Sequence, residues 1–231
     1  MIRMAPEGWP FVLGGLCLTA ATAALALLGF SGSSGLQHLF LAVAFVFGLL
    51  TLFTIFFFRN PKRQRRDGEG LVLAPADGRI VEIVQEEPTD LYLQPSTRIS
   101  IFLSIFNVHV QRAPITGRVG LKLYRPGKYL AAWNPKASQD NEQATLGLDA
   151  GPDRQIMVRQ IAGLIARRIV TDPEKGDLVP QGSRIGLIRF GSRVDLFMPR
   201  DWEVTCRIGD KVKGGLSEMA RVPDDGEGDP R

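Results

Sequence analysis

Histidine and cysteine are nearly missing from this 231-residue chain, which holds His38, His109, Cys17 and Cys206 and no others. Two cysteines cannot build a disulfide framework or a four-ligand zinc site, and two histidines leave little for a histidine-rich metal site. Several signatures are absent altogether. There is no G-x-x-x-x-G-K-[ST] loop and no strand-linked G-x-G-x-x-G, so nucleotide binding has no support. There is no G-x-S-x-G elbow of the α/β-hydrolase kind. Heptads and long-period repeats are also lacking. A broad basic face is missing too: of a net charge of +4, five positive charges fall in residues 59–66, and the remainder is one charge negative. Nucleic-acid binding is therefore not expected.

What is present begins with two long runs without charge. Trp9 to Phe30 reads WPFVLGGLCLTAATAALALLGF, and Leu36 to Phe58 reads LQHLFLAVAFVFGLLTLFTIFFF. Each is long enough to cross a hydrocarbon core of about 30 Å as a helix. The polar linker Ser31-Gly32-Ser33-Ser34-Gly35 joins them tightly, so a two-span membrane hairpin over residues 1–58 is expected. A signal peptide fits less well, because the first run is long and a second follows at once. A re-entrant hairpin is the competing arrangement. The basic stretch RNPKRQRR follows directly, with Arg59, Lys62, Arg63, Arg65 and Arg66 over residues 59–66. Such a cluster stays cytoplasmic and suits anionic lipid headgroups.

Residues 67–221 read as one soluble domain rich in strands. LVLAPADGRIVEIVQE, TRISIFLSIFNVHVQRAP, GRVGLKLYRPG, RQIMVRQIAG, SRIGLIRFGSRVDLFMP and WEVTCRIGDKV carry Val, Ile and Phe between Gly and Pro punctuation. That spacing predicts a mainly β sandwich or barrel. IAGLIARRI, residues 161–169, is expected as a short helix, and residues 131–147 as a polar loop. Residues 222–231 are acidic and expected to be disordered.

Gly191-Ser192 lies between two strand-like runs, and alone it is most simply a hairpin turn. Asp77 lies in APADGRI and His109 in IFNVHVQRAP. Taken singly, an Asp-Gly pair marks a turn and a histidine on a β run is usually half-buried. Together, a serine, a histidine and a carboxylate can activate a hydroxyl: the imidazole takes the proton and the carboxylate orients it.

Six blocks in order give these residues a shared context. FFRNPKR, APADGRI, SIFNVHVQRAPITGRV, KYLAAWNPKASQDNEQ, IAGLIARRI and GDLVPQGSRIGLIRFGSRVDLFMP resemble the short bacterial phosphatidylserine decarboxylase proenzymes from about Phe57 to Trp202. The acidic extension after Val222 departs from that pattern, away from the motifs. The resemblance implies a β-rich fold of the lipoyl or biotinyl sandwich type with a few short helices.

It also implies self-cleavage between Gly191 and Ser192. Ser192 would become a pyruvoyl group on a small chain, 192–231, beside a large chain, 1–191. A Schiff base on that group would then carry the decarboxylation of phosphatidylserine to phosphatidylethanolamine. The cofactor would thus come from the chain itself, with no metal and no pyridoxal phosphate. His109 would be base and proton donor, and Asp77 would orient it. Asn134, Lys136, Ser138 and Asn141 are candidates for holding the headgroup phosphate. The implied location is the bacterial inner membrane, with the catalytic domain on the cytoplasmic side. The sequence leaves monomer and homodimer open. It also leaves open an ether-linked serine lipid as substrate. A lipoyl-like carrier would need an exposed lysine on a hairpin tip, and no M-K-M is present.

Overall fold

The computed structural model describes residues 3–30, 34–63, 70–89, 92, 94–128, 140–151, 154–163, 168–189 and 192–223. The chain divides into two compact units, Met1–Lys62 and Arg63–Arg231.

The first unit is a helical hairpin. A 3₁₀ turn, Pro6–Gly8, leads into α1, Trp9–Ala24, which ends in a π-helical stretch, Leu25–Gly29; α2 spans Ser34–Phe57. Pro10 sits at the start of α1, where its missing N–H costs nothing. The helices run antiparallel. Phe11 stacks on Phe58 at 5.8 Å between ring centroids at one end, and Phe30 on Phe40 at 4.9 Å at the other. Between these ends the helices meet at small residues: a Cβ on Gly15 would lie 2.3 Å from Thr51 Oγ1. Glycine there permits the close approach that apolar helices need when no hydrophobic effect drives them together. The Thr51 hydroxyl donates to the Phe47 carbonyl in its own helix, so it leaves no unmet donor on this apolar surface. Both helices are long and apolar enough to cross a membrane, over Pro6–Gly29 and Gly35–Phe57. Leu28, Phe45 and Leu52 are among their many exposed apolar side chains.

The second unit is built of strands, in keeping with the expected mainly β class. These are β1 Leu71–Leu73, β2 Gly78–Glu86, β3 Ser96–Leu103, β4 Val110–Arg112, β5 Gly117–Arg125, β6 Gln143–Asp149, β7 Gln155–Ala162, β8 Ile169–Thr171, β9 Leu178–Val179, β10 Arg184–Ile188, β11 Ser192–Pro199, β12 Glu203–Val204, β13 Lys211–Val212 and β14 Glu218–Arg221. Eight form a large antiparallel sheet in the order β13-β2-β3-β11-β7-β6-β5-β9. Two three-stranded sheets, β1-β14-β12 and β4-β10-β8, complete the fold.

β11 is buried along its whole length, in the middle of the large sheet. The two-residue period of a strand separates its faces. Val194, Leu196 and Met198 enter the main core with Ile99, Ile101, Leu103 and Val158. On the opposite face Arg193 and Asp195 join Arg98, Ser100 and Glu82 in a polar network, beside a small cluster of Tyr92, Met157 and Phe197. Arg159 lies over the Phe197 ring at 4.7 Å.

Two local expectations change. Residues 143–147, placed in a polar loop from sequence, belong to β6 and are buried, because they pair with β5 on one side and β7 on the other. Ile161 and Ala162, placed in a short helix from sequence, close β7; residues 164–167 lie outside the described residues. The register explains this: both pair with β11, and strand pairing outweighs the weak helical pattern of IAGLIARRI.

Candidate functional site

Ser192 is the first residue of β11. It lies opposite Leu103 at the end of β3 and Ala162 at the end of β7. Both partners belong to the apolar core, and directly paired residues share a face. The Ser192 hydroxyl is therefore turned into an apolar setting. It is fully buried and has no hydrogen-bond partner among the described residues. Leaving such a group unmatched costs about 1–3 kcal/mol. A buried orphan polar atom is a mark of strain or of chemistry. Gly191, its partner at the expected cleavage site, lies outside the described residues.

The chain leaving Leu103 turns at once. Asn107 Oδ1 accepts from the Ser104 amide and hydroxyl at 2.9 and 2.8 Å, and the Asn107 amide donates to the Ser104 carbonyl at 2.9 Å. This Asx-type turn delivers His109 to the start of β4. The Ile188 amide donates to the His109 carbonyl at 3.4 Å, four residues before Ser192. The topology thus brings His109 and Ser192 to the same end of the fold from two directions.

His109 is fully buried. Its Nδ1 lies 3.0 Å from the Asn107 carbonyl. A carbonyl only accepts, so Nδ1 carries the proton, and in the neutral ring Nε2 holds the lone pair.

Asp77 follows β1 and precedes Gly78, the first residue of β2. Its carboxylate is held by Arg63, whose Nη2 donates at 2.9 and 2.8 Å, and by the Gly214 amide at 2.8 Å. Arg63 was expected in the lipid-facing basic cluster. Its side chain is only 8% exposed and its guanidinium is buried on Asp77. Arg112, also half-buried or more, is held below its ordinary range by burial and by the nearby charge of Arg63. Gly78 permits the close approach of β2 to β3, since a Cβ there would lie 2.3 Å from the Phe102 carbonyl.

A cavity of about 600 Å³ opens beside these residues. Asp77, Arg79, Phe102, Ser104, Asn107, Lys211 and Lys213 line it. That is within the size range of a small-ligand site. Among the described residues no group of three or more His, Cys, Asp or Glu could hold a metal ion.

Of the four phosphate candidates, Asn134, Lys136 and Ser138 lie outside the described residues. Asn141 is buried, and its Nδ2 donates to the Ala162 carbonyl at 2.7 Å. It thereby ties one end of the 129–139 segment to the strand end opposite Ser192. Lys128 and Asn141 also bridge each other across that segment.

Sequence reasoning gave no role to Asn107 and placed Arg63 with the lipid-facing residues rather than at the site. Asn107 sits inside the FNVHV block, two residues before His109, which was the available signal. Arg63 offered none, because a buried arginine inside a basic run looks the same in sequence as a solvated one.

Comparison with known proteins gives the chain a family. The family model described as phosphatidylserine decarboxylase matches residues 50–219. A phosphatidylserine decarboxylase proenzyme from Geobacter metallireducens is 43% identical over 220 residues, covering 95% of this chain and 97% of its own. The Symbiobacterium thermophilum proenzyme is 41% identical over 95% of this chain and 96% of its own. The Syntrophus aciditrophicus proenzyme is 44% identical over 169 residues, 73% of this chain and 79% of its own.

Proposed function

Because the chain belongs to the phosphatidylserine decarboxylase family, we propose that it is a self-cleaving proenzyme that decarboxylates phosphatidylserine to phosphatidylethanolamine at Ser192. The observation that carries this reading is the buried hydroxyl of Ser192, without a hydrogen-bond partner among the described residues, at the head of a central strand. A structural serine at such a position would find a partner or be replaced by alanine.

Cleavage uses the chain's own groups. The Ser192 oxygen attacks the Gly191 carbonyl carbon while its proton passes to a base. The C–N bond to Ser192 breaks as the C–O bond forms, leaving an ester in place of the amide. Loss of the α-proton expels the Gly191 carboxylate and leaves a dehydroalanine on residue 192. Water converts that residue to a ketone and releases ammonia. His109 is the base: Nδ1 is occupied by the Asn107 carbonyl, which leaves Nε2 for the proton. Asp77 acts from a distance. Held by Arg63 and Gly214, it keeps a negative charge at the wall of the cavity and fixes the turn that leads into β2.

The Ser192 side-chain position suits a pyruvoyl group, because elimination carries the hydroxyl oxygen away with Gly191 and leaves a methyl group toward the apolar core around Leu103 and Ala162. Such a group supplies the carbonyl that takes up the substrate amine and the electron pair left when CO₂ departs. His109 can then return a proton to the carbon. Asn141 donates to the carbonyl of Ala162, the residue paired with Ser192, and Asn134, Lys136 and Ser138 are proposed as further polar contacts for the headgroup.

Two further features fit a lipid substrate. The two apolar helices tether the chain to the bilayer in which such a substrate resides. The remaining basic residues after α2 suit the cytoplasmic side of a bacterial inner membrane.

Intact mass of the denatured full-length protein tests this reading. Two chains are expected, 1–191 and 192–231, the smaller one lighter than its serine form by one ammonia. A single full-length mass in protein that has no decarboxylase activity overturns it.

A further inference from the structure

The cavity beside Asp77 has more positive charge than its own residues use. Arg79, Lys211 and Lys213 line it. Arg79 Nη1 donates to the Gly209 carbonyl at 3.0 Å. Lys211 and Lys213 are exposed and have no ion pair among the described residues. The one lining carboxylate, Asp77, is already matched by Arg63 and by the Gly214 amide. The cavity wall is therefore an anion site with two ammonium groups to spare.

Its place in the fold joins it to the reacting end of the sheet. Asn107 lines it and holds the His109 ring through its carbonyl. Phe102 lines it on the face of β3 that carries Arg193, and the next residue, Leu103, is paired with Ser192 on the other face, so the cavity approaches Ser192 around the end of β3, where Ser104 and Asn107 line it. Lys211 and Val212 pair with Arg79 and Gly78 along the sheet edge, which fixes the lysine-bearing strand against the wall. Phe106, between the lining residues Ser104 and Asn107, is 64% exposed. An aromatic ring beside a cationic mouth suits the interface between lipid headgroups and their glycerol backbone.

We infer that Lys211 and Lys213 bind the phosphodiester of the lipid headgroup in this cavity, and so select a glycerophospholipid over free serine. The inference rests on the reading of the chain as a phosphatidylserine decarboxylase and assigns the phosphate to a site other than the 129–139 segment. A phosphodiester carries one full negative charge and no donor, and two lysine ammonium groups meet it without a competing carboxylate. The serine carboxylate and amine then pass Asn107 and reach Ser192 around the end of β3.

The test uses full-length Ser192→Ala protein in detergent, which cannot be cleaved at this bond or turn over lipid. Binding of glycerophosphoserine is measured by calorimetry, with serine and inorganic phosphate as separate probes. The double variant Lys211→Gln, Lys213→Gln is expected to weaken glycerophosphoserine binding about thirtyfold. Lys211→Arg, Lys213→Arg is expected to restore most of it, which separates lost charge from lost fold. Equal binding by the parent and the glutamine variant overturns the inference. Inorganic phosphate that binds as tightly as glycerophosphoserine also overturns it, since the cavity would then be a free-phosphate site. In the Ser192 background the glutamine variant is expected to cut normally and to raise KM for phosphatidylserine with kcat kept. If the Ser192 parent neither cuts nor decarboxylates, the proposed function fails, while the calorimetric arm still decides the anion site.

Discussion

Arg193 on β11 reaches over β3 to Glu82 on β2, with Nη2 2.6 Å from Oε2. The same guanidinium donates to Ser100 and Asp195, and Arg98 adds a second cation to Glu82 at 2.8 Å. The residue that follows Ser192 is thus fixed within its own strand and to two others, on the face opposite the Ser192 hydroxyl.

This network sets a pH dependence. Burial pushes the Glu82 carboxyl up, but hydrogen bonds and charge from Arg98 and Arg193 outweigh it and hold the group below its ordinary value of 4.5. A carboxyl lowered in the folded state stabilises fully above the unfolded value and loses that contribution as pH falls through the folded value. Glu82→Gln is expected to melt below the parent at pH 7, with the gap closing as the pH drops under about 4. A gap that stays constant down to pH 3 removes Glu82 from the ionic network.

Ser192→Ala is expected to remain one chain of 231 residues with no decarboxylase activity. It is also expected to be as stable as the uncut parent or more so, by about 1 kcal/mol, because the lost hydroxyl has no partner among the described residues. Denaturant unfolding in detergent measures this. A large destabilisation would show that the hydroxyl has a structural bond.

His109→Ala is expected to lower self-cleavage, turnover or both by about a hundredfold or more. Mass analysis over time reads the first and lipid product the second. Retention of both at parental rates would take His109 out of the chemistry.

Arg63→Gln leaves Asp77 with the Gly214 amide alone, in a site where both side chains are mostly buried. The expected loss is about 2 kcal/mol. Asp77→Asn is expected to cost a similar amount, and the double variant clearly less than the two together. Simple additivity in the cycle would show that the pair is not coupled.

Removing residues 1–58 is expected to shift the protein from the membrane pellet to the supernatant after an alkaline wash. Continued integral association would locate the anchor elsewhere.

Much of this was legible in the sequence. The two helices were readable because an uncharged run of twenty residues has few other uses, and their ends moved only by a few residues. The strands were readable from Val, Ile and Phe between glycine and proline. Their order was not, because β11 pairs with β3 and β7 across long sequence separations that no local pattern encodes. IAGLIARRI shows the same limit, since its first residues took strand geometry from a partner thirty residues away. Ser192, His109 and Asp77 were named from motifs, but the carbonyl that holds His109 and the arginine that holds Asp77 belong to tertiary structure. Lys211 and Lys213 gave no signal at all; only the cavity joins them to Asn107.

The position of β11 has a consequence for refolding. A cut before Ser192 assigns β11, β12, β13 and β14 to the small chain, and they lie between, beside or beyond strands of the large one in two sheets. Before the cut, folding is unimolecular and independent of concentration. After it, the same architecture is a two-chain complex whose reassembly is bimolecular. Denatured proenzyme is expected to recover on dilution, whereas denatured mature enzyme must find its partner chain again. On the proposed cleavage, the topology would require folding first and cutting second, and the cut would act as a kinetic ratchet.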